Sequence, residues 1–294
     1  MKVNKFIVFV FTVILSLSIS KTSFCQSVPL KITDTGFIFV TVSINDSITA
    51  DFLLDTGGGM NILSNKIYQK IKPTAKFHSF ETGFRHDGER IDGELFEIPS
   101  ISIDSYKLTD VLTGMYAPLD QYGIDGIISL KFFENNPFTI DFKNKILSIE
   151  TKKSLKKIIG SSTMIPILLD VYADYAIDMY IPLILNSTLT LNAEFDTGSG
   201  YNTLIIRPEY MSKLGLDAAN TKKQDYTTPI TQTKLNDYVT SLNSVQINGL
   251  TSTEMKNKNV TFREKMIHPA LIGSEMFKDK AITIDIQNKK MYVR

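Results

Sequence analysis

Residues 42–63 read VSINDSITADFLLDTGGGMNIL, and residues 183–204 read LILNSTLTLNAEFDTGSGYNTL. Superposing Asp55 on Asp196 also brings Asn45 onto Asn186, Thr49 onto Thr190, Gly59 onto Gly200, Asn61 onto Asn202 and Leu63 onto Leu204. The chain is therefore an internal repeat, and each copy carries one Asp-Thr-Gly loop. Two copies of a carboxylate-bearing loop can face each other across a pseudo-two-fold axis. Carboxylates held that close cannot both ionise, so one keeps its proton while the other acts as a base. Such a pair can activate water.

The repeat extends on both sides of the tripeptides. Each half opens with a β-type alternation, Phe37 to Ile44 and Tyr180 to Leu185. A polar turn follows, Asn45-Asp46-Ser47 or Asn186-Ser187-Thr188, and then a second strand that runs into the aspartate. These turns also read as glycosylation sequons, but their matched positions favour a hairpin role. After the glycines, Ser64 can cap a helix over Asn65 to Ile71, stopped by Pro73. The second half offers Pro208 and then Glu209 to Leu214, ended near Gly215. Alternating segments follow, Leu95 to Ile103 and Tyr238 to Ile247. A shared block closes each half, aligning Phe133 with Phe277 and Thr139-Ile140-Asp141 with Thr283-Ile284-Asp285. Many short strands and few helices predict a mostly β chain.

Residues 1–25 read as a signal peptide: Lys2 and Lys5, an apolar run from Phe6 to Ile19, and a polar exit to Cys25. The run is shorter than the ~20 residues of a spanning helix. A lipoprotein reading, with Cys25 as the first mature residue, is weaker because bulky Phe24 precedes it. The expected organisation is an N-terminal lobe over 26–152, a linker over 153–162 and a C-terminal lobe over 163–294. The chain is expected to be exported, periplasmic or extracellular.

Cys25 is the only cysteine, so cleavage before Gln26 leaves no disulfide and no thiol nucleophile. His78, His86 and His268 show no metal-ligand spacing and read as ordinary loop or surface histidines; no metal and no cofactor is expected. Cleavage also leaves 29 basic against 31 acidic side chains. That balance argues against nucleic acid as the main partner.

A bare Asp-Thr-Gly is weak, and Asp34-Thr35-Gly36 shows why. No apolar strand precedes that third copy and no Gly-x-Asn-x-Leu follows, so it reads as a turn. At the other two sites, apolar residues (Phe52-Leu53-Leu54 and Phe195) drive the aspartate toward burial, where a carboxylate needs a partner. A later apolar-apolar-Gly element accompanies each: Ala270-Leu271-Ile272-Gly273, and Asp125-Gly126-Ile127-Ile128-Ser129-Leu130 with serine in the glycine position. On these paired motifs each half resembles the retropepsin unit, and the whole resembles a bilobal, pepsin-like aspartic peptidase of bacterial type.

The resemblance implies two β-barrel lobes related by a pseudo-two-fold axis, in one monomeric chain without a membrane span. It implies peptide-bond hydrolysis with Asp55 and Asp196 as a shared-proton pair. Thr56 and Thr197 would bond across the axis, and Gly57 and Gly198 would let backbone N–H groups approach the carboxylates. Ser129 and Gly273 would mark the psi-loops. A hydroxyl after the tripeptide would support the carboxylate at Ser199 but not at Gly58, which predicts a raised pKa on the unsupported side. A substrate-covering flap is expected over Thr82 to Gly93, with Gly83, Gly88 and Gly93 giving it mobility; its equivalent, Asp225 to Asp237, lacks glycine. About ten residues between Gln26 and the first long strand leave no room for an inhibitory prosegment. The competing reading on the same fold is a peptide-binding or inhibitory module that does not cut.

Overall fold

The structure, a computed structural model, describes residues 26–294. The expected signal segment, including Cys25, lies outside the described residues. Each half builds an eight-stranded sheet with the same strand order. In the first half the order is 31–32, 38–44, 48–54, 126–128, 62–63, 106–115, 90–103, 76–84. In the second it is 168–172, 176–185, 189–195, 270–272, 204–206, 250–263, 234–247, 222–227. Strand 38–44 also pairs with 90–103, and 176–185 with 234–247, which rolls each sheet toward a barrel. The fold is mostly β and two-lobed.

The repeated turns are hairpins for a physical reason. Asn45 and Asp46 have φ of 50° and 55°, Asn186 and Ser187 of 48° and 58°. Two consecutive positive-φ residues make the turn whose twist suits paired strands, and Asn tolerates it. The side chains add a second bond. Asn45 Oδ1 accepts from the Ser100 N–H at 3.1 Å, and Asn186 Oδ1 from the Ser244 N–H at 3.3 Å.

A six-stranded sheet joins the lobes, with three strands from each: Gln26–Pro29, Ile146–Ile149, Phe138–Asp141, Ala281–Asp285, Lys290–Val293, Thr163–Pro166. At its centre Thr139 faces Thr283, their hydroxyls 2.7 Å apart. The turns after these central strands are pinned alike. Asp141 accepts from the backbone and side chain of Asn144, and Asp285 from those of Asn288. One apolar core runs through both halves and includes Phe52, Phe133, Phe195 and Phe277.

The halves differ in their helices. Ser64 accepts from the Ile67 N–H at 3.2 Å and caps the α-helix Asn65–Ile71. Its counterpart is two 3-10 turns, Pro208–Tyr210 and Ser212–Leu214, ended by Gly215 at φ +72°. The segment read as a linker is mostly an α-helix, Lys152–Ile159, capped by Thr151 in a reciprocal box with Ser154. Its lysines face water while Ile158 is buried. Among the described residues no helix is long and apolar enough to cross a membrane.

Candidate active site

Strands 48–54 and 189–195 each lie beside a short parallel strand, 126–128 and 270–272. That neighbour fixes the residue after the strand: the Asp55 N–H donates to Ile128 O and the Asp196 N–H to Ile272 O, both at 2.9 Å. The two loops then meet at the pseudo-axis. The Thr56 N–H donates to Thr197 Oγ1 and the Thr197 N–H to Thr56 Oγ1, each at 3.1 Å. Thr197 Oγ1 donates onward to Leu54 O at 2.7 Å, and Thr56 Oγ1 to Phe195 O. Both threonines are sealed from water, at 1% and 0% exposure.

The glycines leave room for the carboxylates. A Cβ on Gly198 would sit 2.3 Å from Asp55 Cγ, and one on Gly57 2.8 Å from Asp196 Cγ. The Gly57 N–H donates to Asp55 Oδ1 at 2.9 Å. The two carboxyls hydrogen-bond each other. Burial raises the pKa of both. For Asp55 this is opposed by the bond from Asp196 and by N–H groups of Gly57, Gly198 and Gly58. Asp196 is pushed well up by burial, then by the charges of Asp55 and Glu194. Burial therefore works against ionisation of both carboxyls together.

The hydroxyl expected to support the Asp196 carboxylate is engaged elsewhere. Gly58 offers no hydroxyl, but its N–H supports Asp55. The Ser199 N–H does donate to Asp196 Oδ1 at 3.1 Å, yet its hydroxyl donates to the Asp196 backbone carbonyl at 2.9 Å. Backbone N–H groups therefore reach both carboxylates.

Ser129 fits the glycine position without strain. It sits at φ −99°, where no glycine is required, and its Oγ accepts from the Lys131 N–H to cap the next 3-10 turn. Gly273 has no such freedom: a Cβ there would lie 2.0 Å from Gly200 O. Asp34 lies in an exposed turn, whose Thr35 carbonyl accepts from the Tyr201 N–H at 2.7 Å.

The hairpin expected as a flap consists of strands Lys76–Phe84 and Arg90–Ile103. Of its glycines only Gly88, at φ +78°, serves the turn; Gly83 and Gly93 lie in the paired ladder. The tip is held by the opposite lobe, contrary to the picture of a free, glycine-rich hairpin. Glu89 is 5% exposed, and its carboxylate accepts from the Ile230 N–H at 2.9 Å, from the Thr231 N–H, and from Thr231 Oγ1 at 2.8 Å. Burial disfavours that charge, but the Thr231, Thr228 and Ile230 donors outweigh it and hold the carboxyl below its usual range. Asp87 accepts from Tyr226 Oη at 2.7 Å, and His86 O accepts from the Ile267 N–H at 3.0 Å. Arg263 lies flat on Tyr226 at 3.4 Å, forks onto Asp237, and reaches His86 Nε2 at 3.3 Å. Burial lowers the His86 pKa to about 4.

Sequence reasoning also missed a cluster beside the dyad. Asp178, Glu194 and His268 place their side-chain donor atoms within 4.8 Å of one another. His268 Nδ1 lies 3.0 Å from Tyr180 Oη, and its Nε2 3.4 Å from Glu194 Oε2. It and His86 lie in loops, as expected, but both are half-buried, and only His78 is exposed. A signal existed in the repeat: its alignment sets Glu194 against Leu53.

Residues 40–132 match the family model described as aspartyl protease. No curated protein matches the chain. Among solved structures, basic 7S globulin from soybean is similar with a TM-score of 0.51 and 9% identity, covering 92% of this chain and 94% of that one. Conglutin gamma, a basic 7S globulin from lupine seeds, gives the same four values. A retropepsin-like aspartic protease from Rickettsia conorii aligns at 22% identity over 45% of this chain and 89% of its own, with a TM-score of 0.33.

Proposed function

We propose that this chain, which matches an aspartyl protease model over residues 40–132 and has an aspartic-protease-like fold over both lobes, is an exported endopeptidase. The observation that carries the reading is the pair Asp55 and Asp196, half-buried, bonded to each other, and approached by backbone N–H groups of the adjoining glycines. Fold likeness alone would not suffice, since the same fold is found in proteins named globulins.

In this reading the dyad holds a water with one shared proton. The ionised carboxylate takes a proton from the water as its oxygen attacks the peptide carbonyl. The protonated carboxyl donates to the carbonyl oxygen, and a proton then passes to the leaving amine as the C–N bond breaks. The two aspartates titrate as one unit, so the roles belong to the pair. Gly57 and Gly198 admit the donors, and the threonine bonds keep the loops in register. The hairpin over the cleft excludes water once a peptide is in place, and its latch must release for the peptide to enter.

The test is cleavage of a peptide library by residues 26–294 from about pH 3 to 7, with Asp55→Asn and Asp196→Asn beside it. Each variant should lose activity by at least about a thousandfold. Undiminished cleavage in both variants would remove the dyad from the chemistry. Peptide binding without cleavage by the unaltered protein would favour the non-cutting module.

A further inference from the structure

The pseudo-symmetry lets the two walls beside the dyad be compared position by position. In the first lobe Leu53 is flanked in the ladder by Phe39 and Ile127. Leu53, Leu119 and Ile127 form an apolar cluster apart from the main core, with Phe37 and Ile124 packed on it. In the second lobe Glu194 stands in the place of Leu53, flanked by Tyr180 and Leu271. Two residues back along one strand, Phe37 becomes Asp178; three residues back from the other, Ile124 becomes His268. Three apolar positions on one side are thus polar on the other.

The polar wall is not a solvated face. Glu194 is 4% exposed and accepts no hydrogen bond from any described residue; its only close polar contact is His268 Nε2 at 3.4 Å. Burial holds that imidazole below its usual pKa, so it does not supply a full positive charge near neutrality. Asp178 likewise accepts no hydrogen bond from the described residues, and its Oδ1 lies where a Cβ on Gly59 would be 3.4 Å away, beside the Asp55 loop. The nearby cation Arg207 is committed to the Met266 and Ile267 carbonyls. Burial and neighbouring acids raise both carboxyls, Asp178 to about 6. A buried carboxylate without donors is costly until a cation arrives.

We propose that this pocket binds the lysine or arginine side chain of a substrate residue on one side of the scissile bond. The Leu53 pocket takes an apolar side chain on the other. The inference rests on the endopeptidase reading of the cleft and assigns its substrate class: peptides with an apolar–basic pair across the cut. The ammonium or guanidinium supplies the N–H donors that Glu194 and Asp178 lack. A divalent metal could use the same three side chains, but their symmetry relation to the apolar cluster around Leu53 favours part of a bound peptide.

The test uses quenched fluorescent peptides that differ only in Lys, Arg, norleucine or Glu at each position flanking the cut. At one position the unaltered protein should prefer Lys or Arg over norleucine by about tenfold or more in kcat/KM. That ratio should fall toward one in Asp178→Asn and Glu194→Gln. It should invert in Glu194→Leu, which restores the residue of the apolar wall. Labelled Lys and norleucine peptides are also compared by anisotropy with the unaltered protein, a readout that needs no cleavage. Tighter binding of the Lys peptide without cleavage keeps the pocket and sinks the endopeptidase reading. Cleavage without basic preference at either position does the reverse, as does a preference that survives the variants. Equal binding of both peptides overturns the pocket. So does capture of Zn²⁺ that is lost in Asp178→Asn while the two peptides behave alike.

Discussion

Thr197→Val should cost this protein a large part of its stability although it changes almost no volume. The hydroxyl is fully buried and does two jobs across the axis: it accepts from the Thr56 N–H at 3.1 Å and donates to Leu54 O at 2.7 Å. Valine keeps the branched shape and leaves both backbone groups unpaired in a dry site. Each unsatisfied buried group costs about 1–3 kcal/mol, so the substitution should cost about 2–6 kcal/mol. Against a total of about 5–15 kcal/mol that is severe. Urea denaturation measures it, and a thermal scan should show a fall of roughly 5–15 °C. Thr197→Ser, which keeps the hydroxyl, should recover most of the loss. Thr56→Val removes the mirror pair of bonds, and the double variant should lose less than the two singles combined, because one opened interface relaxes both loops. A loss below about 0.5 kcal/mol for Thr197→Val, or a serine variant as unstable as the valine, would refute the reasoning.

Glu89→Gln should loosen the hairpin without unfolding the lobes, since a neutral amide loses about 1.5–3 kcal/mol of charge-assisted bonding. Hydrogen exchange at the Ile230 and Thr231 amides should rise on the order of ten- to a hundredfold, with strand Ala281–Asp285 unchanged; equal rates at both amides would remove the latch. The latch also has a pH sign. The Glu89 carboxyl sits below its usual range in the folded protein, so its bonds are complete above the ordinary carboxylate pKa and are lost as pH falls through the lowered value. Exchange at the hairpin tip should therefore increase below about pH 4 in the unaltered protein and be nearly flat in Glu89→Gln. For catalysis, burial raises both members of the dyad and moves the singly protonated state upward. A pH–rate profile should give higher kcat/KM at about pH 5 than at about pH 2; a maximum near pH 2 would contradict it.

The repeat made the fold legible because its signals are local: paired-Asn turns, apolar strands ending in aspartate, and Asp-x-x-Asn corners recur at matched positions. The linker helix was less visible. Lys152 to Lys157 gives mostly polar residues, and only the Thr151–Ser154 cap and Ile158 mark a boundary and a face. The flap latch had no local signature, since Glu89 and Thr231 lie 142 positions apart. Strand periodicity says which side chains share a face, but not whether that face meets water or a cleft. Glu194 therefore looked like an ordinary outward residue. Only the pairing of strands 176–185, 189–195 and 270–272 reveals that it looks toward the dyad's flank.

The sheet that joins the lobes imposes an order in time. Its strand Lys290–Val293 lies between Ala281–Asp285 and Thr163–Pro166, so residues 290–293 close a seam whose other edge is the strand Gln26–Pro29. A ribosome delivers them well after both aspartates, and until they arrive the second aspartate has no finished lobe to hold it against the first. In the endopeptidase reading, the nascent chain is therefore harmless to itself and its surroundings until that strand emerges. The hazard arrives with the seam.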